Sequence, residues 1–100
     1  MGFVKVAEVS EIKPGAGKVV VIGSKELALF NVEGEFYCLD NSCPHADGPL
    51  GEGYVQGETV TCPWHSWMFS VKTGEMIYNA FVCVATYPCK VEGEAVFIET

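Results

Sequence analysis

Two short motifs constrain this chain of 100 residues more than any other feature of its sequence. The first is Cys43-Pro44-His45 and the second is Cys62-Pro63-Trp64-His65, and 16 residues lie between His45 and Cys62. Each motif offers one thiolate and one imidazole, which are good ligands for transition metals. Two such pairs in so short a chain indicate a metal site, because inert core residues explain them poorly.

The order of the residues within each motif bears on which metal is held. Zinc binds sets of two Cys and two His tetrahedrally, and zinc fingers usually begin with two Cys that are two to four residues apart. Here each motif mixes one Cys with one His instead. The sequence therefore favours an iron–sulfur site, with a zinc-stabilised interaction module as the rival.

The composition indicates a single packed domain over residues 1–100. Hydrophobic residues make up 49% of the chain, as is typical of globular proteins. The formal net charge of −7 would repel phosphate groups. We therefore expect no nucleic-acid partner and no membrane partner, whereas a protein with a basic face would suit this acidic chain.

The N-terminal residues lack the basic region and apolar run of a targeting signal. No stretch approaches the roughly 20 apolar residues of a membrane span. We expect a cytoplasmic protein.

Three further cysteines lie outside the two motifs, namely Cys38, Cys83 and Cys89. Each stands among residues that favour strands, so we expect three small buried hydrophobic side chains. A disulfide between Cys83 and Cys89 is the alternative, although a reducing compartment disfavours it.

Gly and Pro recur at short intervals between segments rich in Val, Ile, Phe and Tyr, which predicts an all-β fold. We expect about nine short strands in an antiparallel β barrel or sandwich, with the ligand motifs on loops. The strands before residue 40 and after residue 86 should form a base. Residues from 41 to about 80 should form a small cluster-binding lobe on this base. The expected strands cover 3–9, 18–22 (buried on both faces or nearly so), 26–32, 35–39, 54–62 with a turn near 56–58, 68–71, 86–91 and 95–98, and 76–80 should be irregular. We expect a hairpin of 26–32 and 35–39 across Glu33-Gly34, and a closing hairpin of 86–91 and 95–98 across residues 92–94.

The residues around the two motifs resemble the Rieske family. CPHADGPL at 43–50 is similar to the first sequence box of that family, and CPWHSWMF at 62–69 is similar to the second. The turn at 72–75 and the strand at 87–93 resemble those of soluble Rieske ferredoxins. The resemblance covers almost the whole chain and implies one [2Fe–2S] cluster.

The same resemblance assigns the four ligands. It implies that Cys43 and Cys62 bind the inner iron, while His45 and His65 bind the outer and more exposed iron.

Several positions differ from the Rieske proteins of respiratory complexes. Those proteins have a further Cys in each box, joined as a disulfide, where this chain has Gly48 and Trp64. They also have a Ser and a Tyr that donate hydrogen bonds to sulfur, where this chain has Trp67 and Phe69. With fewer donors the reduced cluster is less stabilised. We therefore expect a midpoint potential near the bottom of the Rieske range of about −150 to +300 mV.

Side chains near the motifs suggest a cover for the cluster and a surface for a partner. We expect a hydrophobic cover over the cluster from the aromatic residues and from two residues of the first box, namely Trp64, Trp67, Phe69, Tyr54, Pro49 and Leu50. The alternative for Trp64 is a docking surface. Asp47 and Glu52 would then lie beside it, or they are simply solvated.

The sequence holds no nucleophile and base pair and no phosphate-binding glycine motif, so we expect an electron-transfer protein and no enzyme. The first hypothesis is a one-electron carrier between a flavin reductase and a terminal oxygenase. The second is the small subunit of an NAD(P)H nitrite reductase, which would bind the large subunit of that enzyme. Sequence motifs are similar in both families.

Overall fold

A computed structural model of the chain describes residues 2–41, 49–63 and 67–99. Of the four expected ligands, Cys62 is within these ranges, and Cys43, His45 and His65 lie outside them. Asp47, Gly48 and Trp64 also lie outside the described residues.

The described residues form twelve strands and two short 3-10 helices, and they contain no α-helix. The strands are β1 Phe3–Glu8, β2 Gly17–Ile22, β3 Lys25–Val32, β4 Glu35–Asp40, β5 Tyr54–Gln56, β6 Thr59–Thr61, β7 Met68–Ser70, β8 Glu75–Met76, β9 Asn79–Cys83, β10 Thr86–Tyr87, β11 Cys89–Glu92 and β12 Ala95–Glu99. The 3-10 helices cover Val9–Glu11 and Leu50–Glu52. In these ranges no helix is long and apolar enough to cross a membrane.

The described residues form three antiparallel sheets, which confirms the all-β prediction. The first has the strand order β1-β12-β11 and the second has the order β10-β4-β3-β2. We call these two sheets together the base. The third sheet has the order β5-β6-β7-β8-β9, and we call it the lobe sheet. The lobe sheet runs from Tyr54 to Cys83, between the two halves of the base in sequence.

The hairpin of β3 and β4 forms where the sequence predicts it. Glu33 and Gly34 make the turn with φ angles of 52° and 94°, as a two-residue type I′ turn requires. The buried Asn31 supports this turn, because its Oδ1 accepts a hydrogen bond from the Gly34 N–H at 2.8 Å. Its Nδ2 donates to the Ile12 carbonyl at 2.7 Å, which ties the hairpin to the N-terminal segment.

Strand β3 is buried on both faces and separates two clusters of core side chains. Leu27 and Leu29 point into a core within the base, together with Ala7, Ile12, Val20, Phe36, Cys38, Val96 and Ile98. Ala28, Phe30 and Val32 point into a second core that joins the base to the lobe, together with Leu39, Leu50, Val60, Cys62, Phe69, Val71 and Val84. Each fully buried Phe or Leu contributes about 1.5–3 kcal/mol to stability. The lobe sheet is therefore held on the base by hydrophobic packing.

Two predictions about single strands are wrong. Residues 18–22 were expected to be buried on both faces, but β2 lies at the edge of its sheet and Val21 is 65% exposed. Residues 76–80 were expected to be irregular, yet Met76 ends β8 and Asn79 begins β9, so the chain forms a hairpin there.

The predicted closing hairpin is confirmed in part. Strands β11 and β12 pair across a turn at Gly93, as expected. Thr86 and Tyr87 do not extend this hairpin, because they pair with Leu39 and Cys38 of β4. Because β10 pairs with β4, the segment by which the chain leaves the lobe is joined to the segment by which it enters the lobe.

Candidate metal centre

Cys62 lies directly after strand β6, at the start of the loop that contains the second motif. Its side chain is 1% exposed and belongs to the core that joins base and lobe. Its backbone N–H donates a hydrogen bond to the Trp67 carbonyl at 2.7 Å. Because Thr61 and Met68 are paired neighbours in β6 and β7, this bond closes the loop that contains His65. The sulfur is thus placed on the hydrophobic side of the loop.

Asn41 fixes both ends of the segment that contains Cys43 and His45. Its N–H donates to the Glu26 carbonyl at 3.1 Å, and its own carbonyl accepts from Leu50 N–H at 2.9 Å. The Asn41 side-chain Oδ1 accepts a further bond from Gly51 N–H at 2.8 Å. The side chain is 95% buried, so these bonds are shielded from water.

Two glycines let the segment after the first loop pack closely on both sides. A Cβ at Gly51 would lie 2.7 Å from Cγ2 of Val19 in β2. A Cβ at Gly53 would overlap the Thr61 carbonyl oxygen, next to Cys62. Leu50, in the same segment, is fully buried in the core that also contains Cys62. The bases of the two loops are therefore brought together by one short piece of chain.

These positioning residues were not identified from the sequence. Asn41 follows a strand and resembles an ordinary loop residue, and glycines are frequent throughout the chain. Their position in the sequence is the signal that could have identified them. Asn41 stands just before the first box (43–50), and Gly51 and Gly53 stand just after it.

The aromatic residues expected around the cluster differ in their surroundings. Phe69 is fully buried in the core that joins base and lobe, and Trp67 is half-buried against the same core. Tyr54 is 72% exposed on strand β5, so it does not bury its ring as the expected cover requires. Glu52 is exposed, which agrees equally with a place beside a docking surface and with a solvated role.

A group of exposed hydrophobic side chains on the lobe was missed from the sequence. Phe81 is 99% exposed, Tyr78 is 78% exposed and Ile77 is 47% exposed. We call these three residues the aromatic patch. Ile77 N–H donates to the Met68 carbonyl at 2.9 Å, and the Tyr78 hydroxyl lies 4.0 Å from the Met68 sulfur. Since Met68 begins the strand after the loop of the second motif, Ile77 and Tyr78 lie beside the end of that loop.

The lobe carries mostly negative charge. Between residues 41 and 85 the sequence has one basic residue, Lys72, and four acidic residues, Asp47, Glu52, Glu58 and Glu75. Lys72 forms an ion pair with Glu58 at 2.9 Å, and this bond raises the pKa of Lys72 above its ordinary value. The surface of the lobe thus carries exposed carboxylates as well as exposed aromatic rings.

The three remaining cysteines are free thiols with different exposure. Cys38 is buried and Cys89 is half-buried, in line with their expected role as small core residues. Cys83 is exposed, so the prediction that it is buried is wrong. Its strand, β9, lies at the edge of the lobe sheet, and the register turns Cys83 outward. The alternative of a Cys83–Cys89 disulfide is also wrong.

Comparisons with known proteins identify the family. The sequence model of the Rieske [2Fe-2S] domain matches residues 2–88. The ferredoxin component of the naphthalene 1,2-dioxygenase system of Pseudomonas aeruginosa is 39% identical over 90 residues, which cover 89% of this chain and 86% of that protein.

Solved structures agree in fold. A ferredoxin in the complex of reduced oxygenase and oxidized ferredoxin of carbazole 1,9a-dioxygenase has a TM-score of 0.87 and 28% identity, with 96% of this chain and 91% of that chain covered. An NADH-dependent nitrite reductase small subunit from Mycobacterium tuberculosis has a TM-score of 0.90 at 20% identity, with 97% and 93% covered, and shares the fold alone. The chain belongs to the Rieske [2Fe-2S] domain family.

Proposed function

We propose that this protein is the ferredoxin component of an oxygenase system, which takes single electrons from a flavin reductase and passes them to a terminal oxygenase. It carries electrons and performs no catalysis of its own. The observation that carries this proposal is the 39% identity to a dioxygenase ferredoxin over 89% of the chain. We also propose that residues 1–100 act as one domain, with a cluster-binding lobe at about 41–80, in the cytoplasm.

Cys43, His45, Cys62 and His65 are the proposed ligands of one [2Fe–2S] cluster. This donor set of two thiolates and two imidazoles matches the Rieske type of cluster. Cys62 is 1% exposed, which fits a thiolate on the inner iron, away from water. When bound, the cluster supplies a one-electron redox couple. Asn41 and the Cys62–Trp67 backbone bond hold the two loops that present the ligands.

The oxygenase is the proposed partner of the aromatic patch. Aromatic residues are enriched at protein–protein interfaces, and the rings of Phe81 and Tyr78 are 99% and 78% exposed. The acidic residues of the lobe would steer a basic face of the oxygenase toward the second ligand loop. Trp64 belongs to the same proposed surface because it directly precedes His65.

The nitrite reductase small subunit remains the second candidate, since a protein of that description shares the fold at a TM-score of 0.90. In that case the chain would bind a large reductase subunit permanently. The zinc hypothesis loses its basis with the assignment to the Rieske family.

The cluster is tested by spectroscopy of the purified protein. We expect a red-brown protein with two iron atoms and two sulfides per chain, and an EPR signal after reduction whose average g value is low. Cys62→Ser should lose the signal, whereas Cys83→Ser should keep it because Cys83 is on the far edge of the lobe sheet. A protein that contains only zinc would overturn the assignment.

The carrier role is tested by exchange of components. The reductase and the oxygenase of a naphthalene dioxygenase system are mixed with this protein in place of their own ferredoxin. We expect naphthalene-dependent oxygen uptake that saturates with the concentration of this protein. If uptake stays at the level without ferredoxin, and the protein from native extract elutes with a nitrite-reducing subunit, the second candidate is correct.

A further inference from the structure

Two thiols outside the metal centre lie side by side in the base. Cys38 of β4 is opposite Tyr87 of β10, and Cys89 follows two residues later at the start of β11. Both side chains belong to the core of the base. Both also line one surface cavity of about 320 Å³, so that small molecules in solvent can approach them.

The two thiols differ in their access to solvent. Cys38 is 2% exposed, whereas Cys89 is half-buried. A hydrogen bond with the Cys89 side chain, followed by burial, raises the pKa of Cys38 well above its ordinary value. Cys38 therefore stays protonated, and Cys89 is the sulfur that an external reagent meets first.

The pair is located where the chain enters and leaves the lobe. Here Leu39 and Thr86 are paired, and Asp40 N–H donates to the Ala85 carbonyl at 2.9 Å. We call these pairs of residues the neck. All five strands of the lobe sheet lie between Cys38 and Cys89 in sequence. A bond between the two sulfurs would also join one sheet of the base to the other, since β4 and β11 belong to different sheets.

We propose that Cys38 and Cys89 form a redox-active dithiol, which small disulfides oxidise to an intramolecular disulfide that locks the neck. The Cys89 thiolate attacks the external disulfide, forms a mixed disulfide and releases one thiol. The Cys38 thiol then loses its proton and attacks the Cys89 sulfur, and the second thiol leaves. Two electrons pass from the pair to the reagent, and two protons balance the two released thiolates.

The geometry suits this second step. The two side chains line one cavity and pack in one core, on the contacting strands β4 and β11, so rotation of the side chains can bring the sulfurs toward the S–S bond length of about 2.05 Å. Once Cys89 is part of a mixed disulfide, the hydrogen bond that stabilised the protonated Cys38 is altered. The reaction leaves the ligand Cys62 untouched, because Cys62 belongs to the other core.

The experiment uses the cluster-loaded Cys83→Ser protein, so that the exposed thiol of β9 does not react. Oxidised glutathione is added without oxygen, free thiols are then alkylated in denaturant, and the peptides are mapped by mass spectrometry. We expect Cys38 and Cys89 to lose alkylation together and to appear as one linked peptide, which dithiothreitol reverses. The visible spectrum of the cluster should not change during the reaction.

Two variants separate this result from simple thiol modification. In Cys38→Ser, or in Cys38→Ala if serine destabilises the core, the reaction should stop with glutathione on Cys89. In the linked protein, hydrogen exchange at the Asp40 N–H should slow at least severalfold, because the neck opens less often. The proposal is overturned if glutathione remains on Cys89 when Cys38 is present, if both thiols stay reduced, or if the link forms only after the cluster is lost.

Discussion

The side-chain oxygen of Asn41 accepts a hydrogen bond from the backbone N–H of Gly51 at 2.8 Å, across the segment that contains the first two proposed ligands. The bond joins the end of a base strand to the 3-10 helix that follows the loop. Because Asn41 is 95% buried, water does not replace its bonds when they break.

Asn41→Ala should therefore weaken cluster retention. The substitution leaves the Gly51 N–H without its acceptor and should cost about 1–3 kcal/mol of stability. We expect less iron per chain and faster bleaching of the visible absorption on warming. Asn31→Ala is the matched control, since Asn31 is equally buried and makes two similar bonds within the base. Equal iron loss in both variants would contradict the role of Asn41 as an anchor for the loop.

The anchor shows why part of the site could not be predicted from sequence. Cys62 and the other three proposed ligands are predicted from the local order of residue types, which needs no knowledge of the fold. The role of Asn41 depends on Gly51, and that contact exists only once the loop has closed. Sequence patterns report local chemistry well, but they do not report which distant backbone group will need a partner.

Among the strands too, features set by neighbouring residues were predicted, and features set by the whole fold were not. The turn at Glu33 and Gly34 was predicted because its conformation is set by neighbouring residues. The hairpin of β8 and β9 was missed because Ile77 and Tyr78 are exposed, so the usual alternation of buried and exposed residues is absent. Val21 was assigned to the interior because the apolar sequence of β2 resembles that of a central strand. The place of β2 at a sheet edge depends on the arrangement of the whole sheet.

Phe81→Ser should impair electron delivery to the oxygenase. Truncation of an aromatic residue in the middle of an interface commonly costs more than 1 kcal/mol, which corresponds to about a fivefold rise in the ferredoxin concentration at half-maximal rate. The rate at saturation and the EPR spectrum should not change. Val21→Ser is the control, since Val21 is also exposed but belongs to the base. If the two variants behave alike, the aromatic patch is not the docking surface.

Phe69→Tyr should raise the midpoint potential. Phe69 occupies the position at which respiratory Rieske proteins carry a Tyr that bonds to sulfur, and its ring is fully buried. A new hydroxyl directed at the cluster would stabilise the added electron, and we expect a rise of about tens of millivolts. Phe30→Tyr adds a hydroxyl to the same core from base strand β3 and should leave the potential unchanged. Protein-film voltammetry measures both, and an unchanged Phe69→Tyr potential would argue against the role of missing donors.

Glu11 should make a small contribution to stability that is lost in acid. Its carboxylate accepts a bond from Glu8 N–H at 2.7 Å and pairs with Lys18 at 3.2 Å. The Glu8 backbone bond, followed by Lys18, lowers the pKa of Glu11 below its ordinary value of 4.5. A lowered pKa in the folded state means that the contribution is present above about pH 4.5 and disappears as the pH falls through the lowered value.

Urea unfolding at several pH values tests this contribution. Glu11→Gln should be less stable than the parent at pH 7, and the difference should shrink toward pH 3. Glu33→Gln, at the exposed turn between β3 and β4, serves as the control for the loss of one negative charge. A difference that does not depend on pH would show that the carboxylate bonds are not its source.

The pairing of β1 with β12 sets an order of events when the protein is made. Phe3 is opposite Glu99, so β1 cannot pair in its sheet until β12 has been synthesised. Both ligand motifs leave the ribosome while that sheet is still incomplete. The two halves of the base are separated by most of the chain, and contacts between residues so far apart in sequence form slowly. Cluster insertion before β12 is synthesised would thus meet the loops before their scaffold exists, so assembly of the site is expected to follow synthesis of β12.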